Sequence, residues 1–511
     1  MWSYQVCAII CLIFGIYVFI TNMFSEGLFS IKNNIFKNLP LVKGKDMYNE
    51  WILPVSLIFK CYLFNVTNPD EVMQGDNPNL VEYGPFTYKE VFEKQIVDVN
   101  EELDEIIYDV KSTFRFDKYA SLNISKRDTV TILNPAYIGT ISMLNTLPPT
   151  YMEKFGNNIP KLFPNQKSIF LKANPKEILF DGVKLTCNER KFPELNMICK
   201  TLKTLRSPVL KEGEKDGVYY LSVFQRINGT IRGRFSVNRG VNNITELGNI
   251  SSYNGRRVQT IWRTEKCNTV RGSDSITWAP LVNPLPSVLT FVSDLCRSIE
   301  TDYDKKVSIY GLIGYRYVMK ERTWFLNTSQ CYCLEKNKVP NCLPQGLIDV
   351  TDCLKIPIIM SEPHFLHGDP QLLMYARGLN PNEDEHETFI VIEPYTGTPL
   401  SGQKKIQLNL KLERQPVDLL SNISEGYFPL LWCANGNTPD LSVIILTFQL
   451  LRLAKLIKFI DVIPLMIGIH MTIVTMLYCN CKKRKRQSTI SIADSLLISS
   501  NSQSNNAWRS T

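Results

Sequence analysis

The sequence predicts an α+β protein: one large β-rich domain with helical insertions, held between two apolar segments long enough to cross a membrane. Three observations carry this expectation. An uncharged apolar run lies near each end of the 511-residue chain. Alternating apolar and polar residues recur in the interval between those runs. All seven Asn-x-Ser/Thr sequons and a cluster of cysteines also fall in that interval. With 44% hydrophobic and 21% charged residues, the composition excludes wholesale disorder, a collagen-like repeat and a polytopic helical bundle. The net charge of +8 is no nucleic-acid signature. Lys482, Lys483, Arg484, Lys485 and Arg486 supply five of those charges in one run.

From Tyr4 to Phe24 no residue is charged. About 20 apolar residues cross the hydrocarbon of a bilayer. The run lacks the basic flank and small-residue cleavage site of a secretory signal, so residues 1–24 read as an uncleaved signal anchor. The second run, 462–481, contains Pro464, Gly468 and His470, which a span tolerates where neighbours satisfy the backbone. Before it, residues 441–461 place Gln449, Arg452, Lys455 and Lys458 at three-residue spacing among apolar residues. That is the stripe of a helix lying on a membrane surface. The pentabasic run opens a tail, 482–511, and marks the cytoplasmic side. From Gln487 to Thr511 the tail is rich in Ser and Asn and is expected to be disordered. Glycosylation is lumenal, and Asn65, Asn123, Asn228, Asn243, Asn249, Asn327 and Asn422 all lie between the spans. The predicted topology is a two-pass hairpin with both termini cytoplasmic and residues 25–440 outside.

Within 25–440 the clearest strand is Lys405 to Glu413, where Ile406, Leu408, Leu410 and Leu412 alternate with Gln407, Asn409 and Lys411. That is the period of a half-buried strand. Phe389 to Ile392, Val218 to Ile227 and Gly233 to Gly240 read as further strands. Between Ala136 and Phe163, apolar residues interrupted by Pro148, Pro149, Gly156 and Pro160 predict short broken helices. Thr150 to Lys176 holds five lysines and one acid. The segment is either a basic protrusion that captures an amphipathic anion or a packed helix pair with solvated lysines.

Cys267, Cys296, Cys331, Cys333, Cys342 and Cys353 cluster in the exterior interval, where an oxidising compartment favours disulfides. Six cysteines permit fifteen pairings, and spacing does not choose among them. Cys187 and Cys199 are close enough in sequence for a further bridge. Cys61 and Cys433 have no assignment. Cys7, Cys11, Cys479 and Cys481 sit where palmitoylation occurs, or are simply small residues beside the membrane. His364 and His367 form an H-x-x-H with no third ligand at useful spacing, and read as structural. His386, within NEDEHETF, lacks the glycine and closing glutamate of a calcium loop and reads as solvated charge. No G-x-S-x-G, H-E-x-x-H, Walker A or dinucleotide fingerprint occurs. The reading is therefore of a non-enzyme, without cofactor or metal.

The segment YLFNVTNPDEVMQGDNPNLVEYGPFTYKE (62–90) resembles the opening of class B scavenger receptor ectodomains, the family of the fatty-acid translocase. GRFSVNRG (233–240), SDLCRS (293–298), CYCLEKNKVPNCLPQGLIDVTDC (331–353) and GLNPNEDEHETFIVIEPYTGTPL (378–400) follow in the family's order. Within the family, FNVTNPDEV, EYGPF and EILFDGVKLTC (177–187) most resemble insect sensory neuron membrane proteins. The resemblance implies an antiparallel β-barrel-like core crossed by an apolar tunnel, with a cap of helices at about 136–164. It implies disulfides Cys267–Cys331, Cys296–Cys353 and Cys333–Cys342. It places the ligand entrance near Lys154, Phe155, Lys161 and Lys167, although the family's entrance lysine has no direct counterpart in this chain. The function implied is a plasma-membrane receptor of chemosensory cells. It would take lipid-derived ligands (fatty acids, or pheromone aldehydes, alcohols or acetates) from soluble odorant-binding proteins or from solution. It would pass them through the tunnel to the membrane or to an odorant-receptor complex. Two other readings stay open: a general scavenger or lipid-uptake receptor for fatty acids or lipoproteins, and a receptor that docks proteins through its cap.

Overall fold

The computed structural model describes residues 36–121, 128–145, 147–163, 167–204, 209–224, 227–281, 283–324, 331–336, 339–437 and 480–498, with isolated positions between 9 and 16 and between 466 and 478. The chain divides into two units, Asn38–Ile444 and a second made of Met1–Lys37 with Ile445–Thr511. Each is taken by itself. In the second, no helix among the described residues is long and apolar enough to cross a membrane. The segments 1–24, 441–461 and 462–481 lie largely outside the described residues, as do Cys7, Cys11 and Cys479; Cys481 is exposed and unbonded. Residues 480–498 are helical, which corrects the expectation of disorder for residues 487–498; residues 499–511 lie outside the described residues. Ile490, Ile492, Leu496 and Leu497 interrupt the polar composition. The Ser488 and Thr489 hydroxyls both donate back to the Lys485 carbonyl at 2.8 Å, as side chains within a helix do.

The larger unit is organised by a 13-stranded antiparallel sheet. Its strands are β1 (Val55–Val66), β2 (Leu80–Asn100), β3 (Glu105–Phe116), β4 (Thr230–Asn238), β5 (Ile250–Tyr253), β6 (Ser287–Val292), β7 (Arg297–Ile309), β8 (Leu312–Val318), β9 (Ile348–Asp349), β10 (Ile359–Ser361), β11 (Phe389–Ile392), β12 (Pro399–Leu412) and β13 (Gly426–Asn437). The order runs β5-β4-β3-β2-β1-β13-β12-β11-β8-β7-β6, with β10 pairing β12 and β9 pairing β10. The two ends of that order meet through one residue. Ser273 bridges Asn249, beside β5, and Thr290 in β6. The Ile250 amide donates to Gly272 O at 2.7 Å, and Phe291 N donates to Ser273 O at 2.9 Å. The sheet is thus nearly closed into a barrel, which leaves few unpaired edges.

β11 occupies the residues the sequence pattern marks, and β4 covers most of its segment. The strand expected over Val218 to Ile227 is shorter. It spans Val218–Leu221 and pairs outside the barrel with Val183–Thr186 and Leu210–Glu212. β12 is a strand, but the half-buried expectation needs correction: Gln407 and Asn409 are as buried as Leu410 and Leu412. Both faces of β12 are covered.

Between β3 and β4 the helices α1 (Pro135–Leu144) and α2 (Pro149–Phe155) and a 3₁₀ turn (Gly156–Leu162) form the helical insertion. The Asn134 side chain caps α1, accepting from Ala136 N and Tyr137 N, with Pro135 in the first turn. Pro148 and Pro149 end one helix and start the next. Tyr137, Ile141, Leu144, Met152, Ile159 and Leu162 join the same hydrophobic cluster as the barrel strands, so the insertion is packed on the barrel. Asn157 and Asp418 fasten it further, with the Asp418 amide donating to Asn157 Oδ1 at 2.8 Å.

Five disulfides join described residues. Cys267–Cys331, Cys296–Cys353, Cys333–Cys342 and Cys187–Cys199 are bonded. So are Cys61 and Cys433, which face each other across β1 and β13 at a sequence separation of 372. A cross-link that closes so long a loop removes much of the unfolded chain's freedom. Replacing Cys61 and Cys433 together by alanine is expected to cost about 3–5 kcal/mol, seen as a lowered thermal midpoint of the full chain. An unchanged midpoint would show that the strands hold each other without the bond.

Candidate functional site

The wall made by β1, β13 and β12 carries a graded inner face. Side chains directly opposite one another on paired strands share a face, so the register stacks three rungs. Leu63, Leu431 and Leu408 form one, Cys61, Cys433 and Ile406 the next, and Phe59, Asn435 and Lys404 the third. Along the wall the surface therefore changes from aliphatic to sulfur to polar. Phe59 meets Phe114 and Phe224 edge-on, with ring centroids 5.2 and 5.0 Å apart. Together with Ile356, Ile358 and Met360, the last on β10 beside Leu408, these residues line a cavity of about 120 Å³.

Its polar end is a cluster of paired charges. Arg232 donates to Asp294 at 2.6 Å and lies 3.5 Å from Glu90. Lys404 donates to the other oxygen of Asp294 at 2.5 Å. Asn435 Nδ2 donates to Glu90 Oε2 at 2.6 Å. Burial alone would raise the Asp294 carboxyl, but the charges and hydrogen bonds of Lys404 and Arg232 hold it well below the usual carboxylate range. Burial would likewise lower Arg232, and Asp294 and Glu90 reverse the direction. Counted formally, the two carboxylates Glu90 and Asp294 balance the two cations Arg232 and Lys404.

The outer face of the same wall is buried under the segment 361–388. Its middle rung is Tyr62, Trp432 and Gln407, with Tyr62 stacked on Trp432 at 4.2 Å. Gln407 accepts from the His364 amide at 2.7 Å and donates to Asn409 at 2.8 Å. Asn409 donates to Ser361 Oγ at 3.0 Å. Covering a polar strand face requires such a network, because each unpaired amide would cost about 1–3 kcal/mol.

That layer decides the fate of the histidines. His364 and His367 diverge: His364 Nε2 meets Glu82 at 2.8 Å and His367 Nδ1 meets Glu362 at 2.7 Å. His386, expected as solvated charge, is buried. The acids around it, Glu383, Asp384 and Glu385, face outward from a single helical turn, while its ring turns in to stack on His364 at 4.3 Å. Glu82, His364 and His386 place ligand atoms within 4.8 Å of one another. Their protonation does not suit a metal. His364 Nδ1 accepts from Asn380 N and His386 Nδ1 accepts from Asn382 N, both at 3.0 Å. Each neutral ring therefore carries its proton on Nε2, the atom a metal would need; histidine ligands ordinarily donate from the other nitrogen. Glu82 instead accepts from His364 and from Trp432 Nε1 at 2.9 Å.

The proposed entrance residues sit apart from the cavity lining among the described residues. Lys154 is exposed, 5.4 Å above the half-buried Phe155 ring. Lys161 is paired with Glu194 at 2.5 Å, and Lys167 is exposed. Of the sequon asparagines, Asn65 and Asn228 accept from the amides of Thr131 and Phe114 through Oδ1. Asn249 and Asn422 donate to Glu246 and Gln74, and Asn243 is exposed and caps a turn. Asn123 and Asn327 lie outside the described residues. The cluster of Glu90, Arg232, Asp294, Lys404 and Asn435 escapes sequence reasoning. The one available signal is its proximity to resemblance blocks, since Asp294 lies within SDLCRS and Arg232 directly precedes GRFSVNRG.

Burial and the neighbouring His364 lower the His386 imidazole to about 4. An unfolded histidine protonates near 6.5, so between those values the unfolded chain binds the extra proton and stability falls as pH falls. His367 acts with the opposite sign. Burial would lower it, but the Glu362 hydrogen bond and nearby carboxylates raise it, so its contribution is complete below 6.5 and fades as pH rises past its folded value. His386→Gln should flatten the loss of thermal midpoint between pH 6.5 and 4; an unaltered slope would place the acid sensitivity elsewhere.

Residues 6–479 match the model of the CD36 family. The chain is 32% identical over 420 residues to sensory neuron membrane protein 2 of Heliothis virescens, covering 80% of each chain. It is 33% identical over 426 residues to the protein of the same name from Manduca sexta, covering 80% of this chain and 82% of that one. With sensory neuron membrane protein 1 of Apis mellifera it shares 32% identity over 410 residues, 80% of this chain and 78% of that one. A family match along nearly the whole sequence, laid over a nearly closed antiparallel barrel with a helical insertion, leaves one conclusion: the chain belongs to the CD36 family.

Proposed function

We propose that this protein is a membrane receptor and carrier for long-chain, lipid-derived ligands in insect sensory cells. The observation that carries the reading is the apolar cavity inside the barrel, walled by Leu408, Leu431, Phe59 and Met360 and closed by a polar cluster. A space of this size seats a polar head and the first few methylenes of an alkyl chain, so in this reading the rest of a long chain lies beyond it. Moving each methylene from water into it is worth about 0.8 kcal/mol. The names of the relatives support the sensory setting. The protein carries its ligand unchanged, so the site requires no nucleophile or general base.

In this reading residues 1–24 and 462–481 span the membrane, 441–461 lie along its surface and the tail 482–511 is cytoplasmic. Residues 25–440 face outward at the plasma membrane. The helical segment 136–164, with Lys154, Phe155, Lys161 and Lys167, receives pheromones or odorants from solution or from a soluble odorant-binding protein. The cavity then delivers them to the bilayer or to an odorant-receptor complex. The sequons carry glycans, and Cys7, Cys11, Cys479 and Cys481 are the acylation candidates.

The test is saturable binding of a fluorescent long-chain lipid to the full chain in detergent. Leu431→Trp places an indole among the aliphatic rung and is expected to weaken binding at least about tenfold, since a filled core site excludes further methylenes. A folded Leu431→Trp protein with undiminished binding would move the ligand site out of the barrel.

A further inference from the structure

The polar end of the cavity is built to a particular stoichiometry of charge and hydrogen bonds, and that stoichiometry discriminates among head groups. Arg232 and Lys404 are balanced by Asp294 and Glu90, so the cluster offers no excess positive charge to an incoming anion. Asn435 has committed its amide nitrogen to Glu90. Its Oδ1 is buried and has no donor among the described residues. Directly across the β13–β12 ladder stands Lys404, an ammonium with three N–H groups, one of which goes to Asp294. The rung therefore sets side by side a buried acceptor without a donor and a partly exposed ammonium with N–H groups left.

We propose that this rung is a head-group subsite selective for a neutral hydroxyl, so that the preferred ligand class is long-chain primary alcohols rather than fatty acids. The hydroxyl donates to Asn435 Oδ1 and accepts from Lys404 Nζ, while the first methylenes of the chain lie along Ile406, Leu408 and Leu431. An aldehyde or ester accepts from Lys404 and leaves Asn435 Oδ1 unpaired in a buried place, which is unfavourable. A carboxylate does the same and also brings a third negative charge beside Asp294 and Glu90, without the solvation it had in water. A bare alkane leaves both groups unmet.

This inference rests on the lipid-cavity reading above, and its test separates the two. The full chain in detergent is loaded with a fluorescent long-chain probe and challenged with 1-hexadecanol, hexadecanal, hexadecane and, at mildly alkaline pH, hexadecanoate. The expected order of displacement is alcohol, then aldehyde, then carboxylate, with roughly tenfold between first and last at the least. Asn435→Leu should bring the alcohol down to the level of the aldehyde. Asp294→Asn removes one negative charge at nearly constant shape and should improve hexadecanoate relative to hexadecanol by about tenfold or more. Thermal midpoints verify that each variant is folded. If Asp294→Asn is not, the parent order and Asn435→Leu decide. Hexadecanoate binding as well as or better than hexadecanol to the parent chain overturns the proposal, and so does an alcohol preference that persists in a folded Asn435→Leu. Failure of every hexadecyl compound to displace the probe would instead overturn the cavity reading itself.

Discussion

The antiparallel pairing of β1 with β13 is the constraint on which the rest of the barrel depends. These strands stand near the two ends of the larger unit in sequence yet lie together in the middle of the strand order. Side chains alternate between faces along a strand, so slipping the pair by one residue exchanges every inner residue with an outer one. Here a slip of β1 would put Tyr62 into the cavity. It would also drive Cys61 under the histidine layer, away from Cys433. The Cys61–Cys433 bond joins the two strands at one rung and so holds that register. It thereby fixes which face of the wall meets an alkyl chain and which meets Glu82 and His364.

How far the sequence could be read follows from this geometry. β11 and the helical insertion are local events, made by short apolar runs, prolines and a capping asparagine, and the sequence pattern locates them. β12 is legible as a strand for the same reason. Its burial is not, because alternation reports the polarity of the two faces and not what later covers them. Gln407 and Asn409 are buried by residues 361–388, whose amides, Ser361 hydroxyl and histidine-bearing turns satisfy them. His386 shows the same limit. Its neighbours Glu383, Asp384 and Glu385 dominate the local composition, yet one helical turn suffices to send the acids outward and the imidazole inward.

The cavity's polar end is less legible still. Glu90, Arg232, Asp294, Lys404 and Asn435 come from five separate stretches of chain, and no spacing between them carries meaning until the strand order is known. The same holds for Cys61 and Cys433. Each is an unremarkable cysteine in an apolar strand until β1 and β13 are placed side by side. Resemblance to a family can point to the motifs in which such residues lie, as SDLCRS does for Asp294. It does not say that a lysine on β12 and an arginine on β4 grip the same carboxylate.

Stability alone gives little reason for such a cluster. Replacing a buried ion pair by well-packed apolar residues is commonly neutral or favourable, because the desolvation of two charges offsets their attraction. The β1–β13 wall already has its ladder of hydrogen bonds and a disulfide, so an apolar rung in place of Asn435 and Lys404 would serve the barrel equally well. What a balanced cluster adds is a set of charges fixed in place by their mutual pairing before any ligand arrives, partly shielded from water and carrying no formal net charge. A neutral polar head entering that end loses its hydration and finds hydrogen-bonding groups that need not reorganise to receive it. The aliphatic rungs below supply affinity in proportion to chain length without regard to chemistry at the end. The charged rung supplies the discrimination that the aliphatic ones cannot.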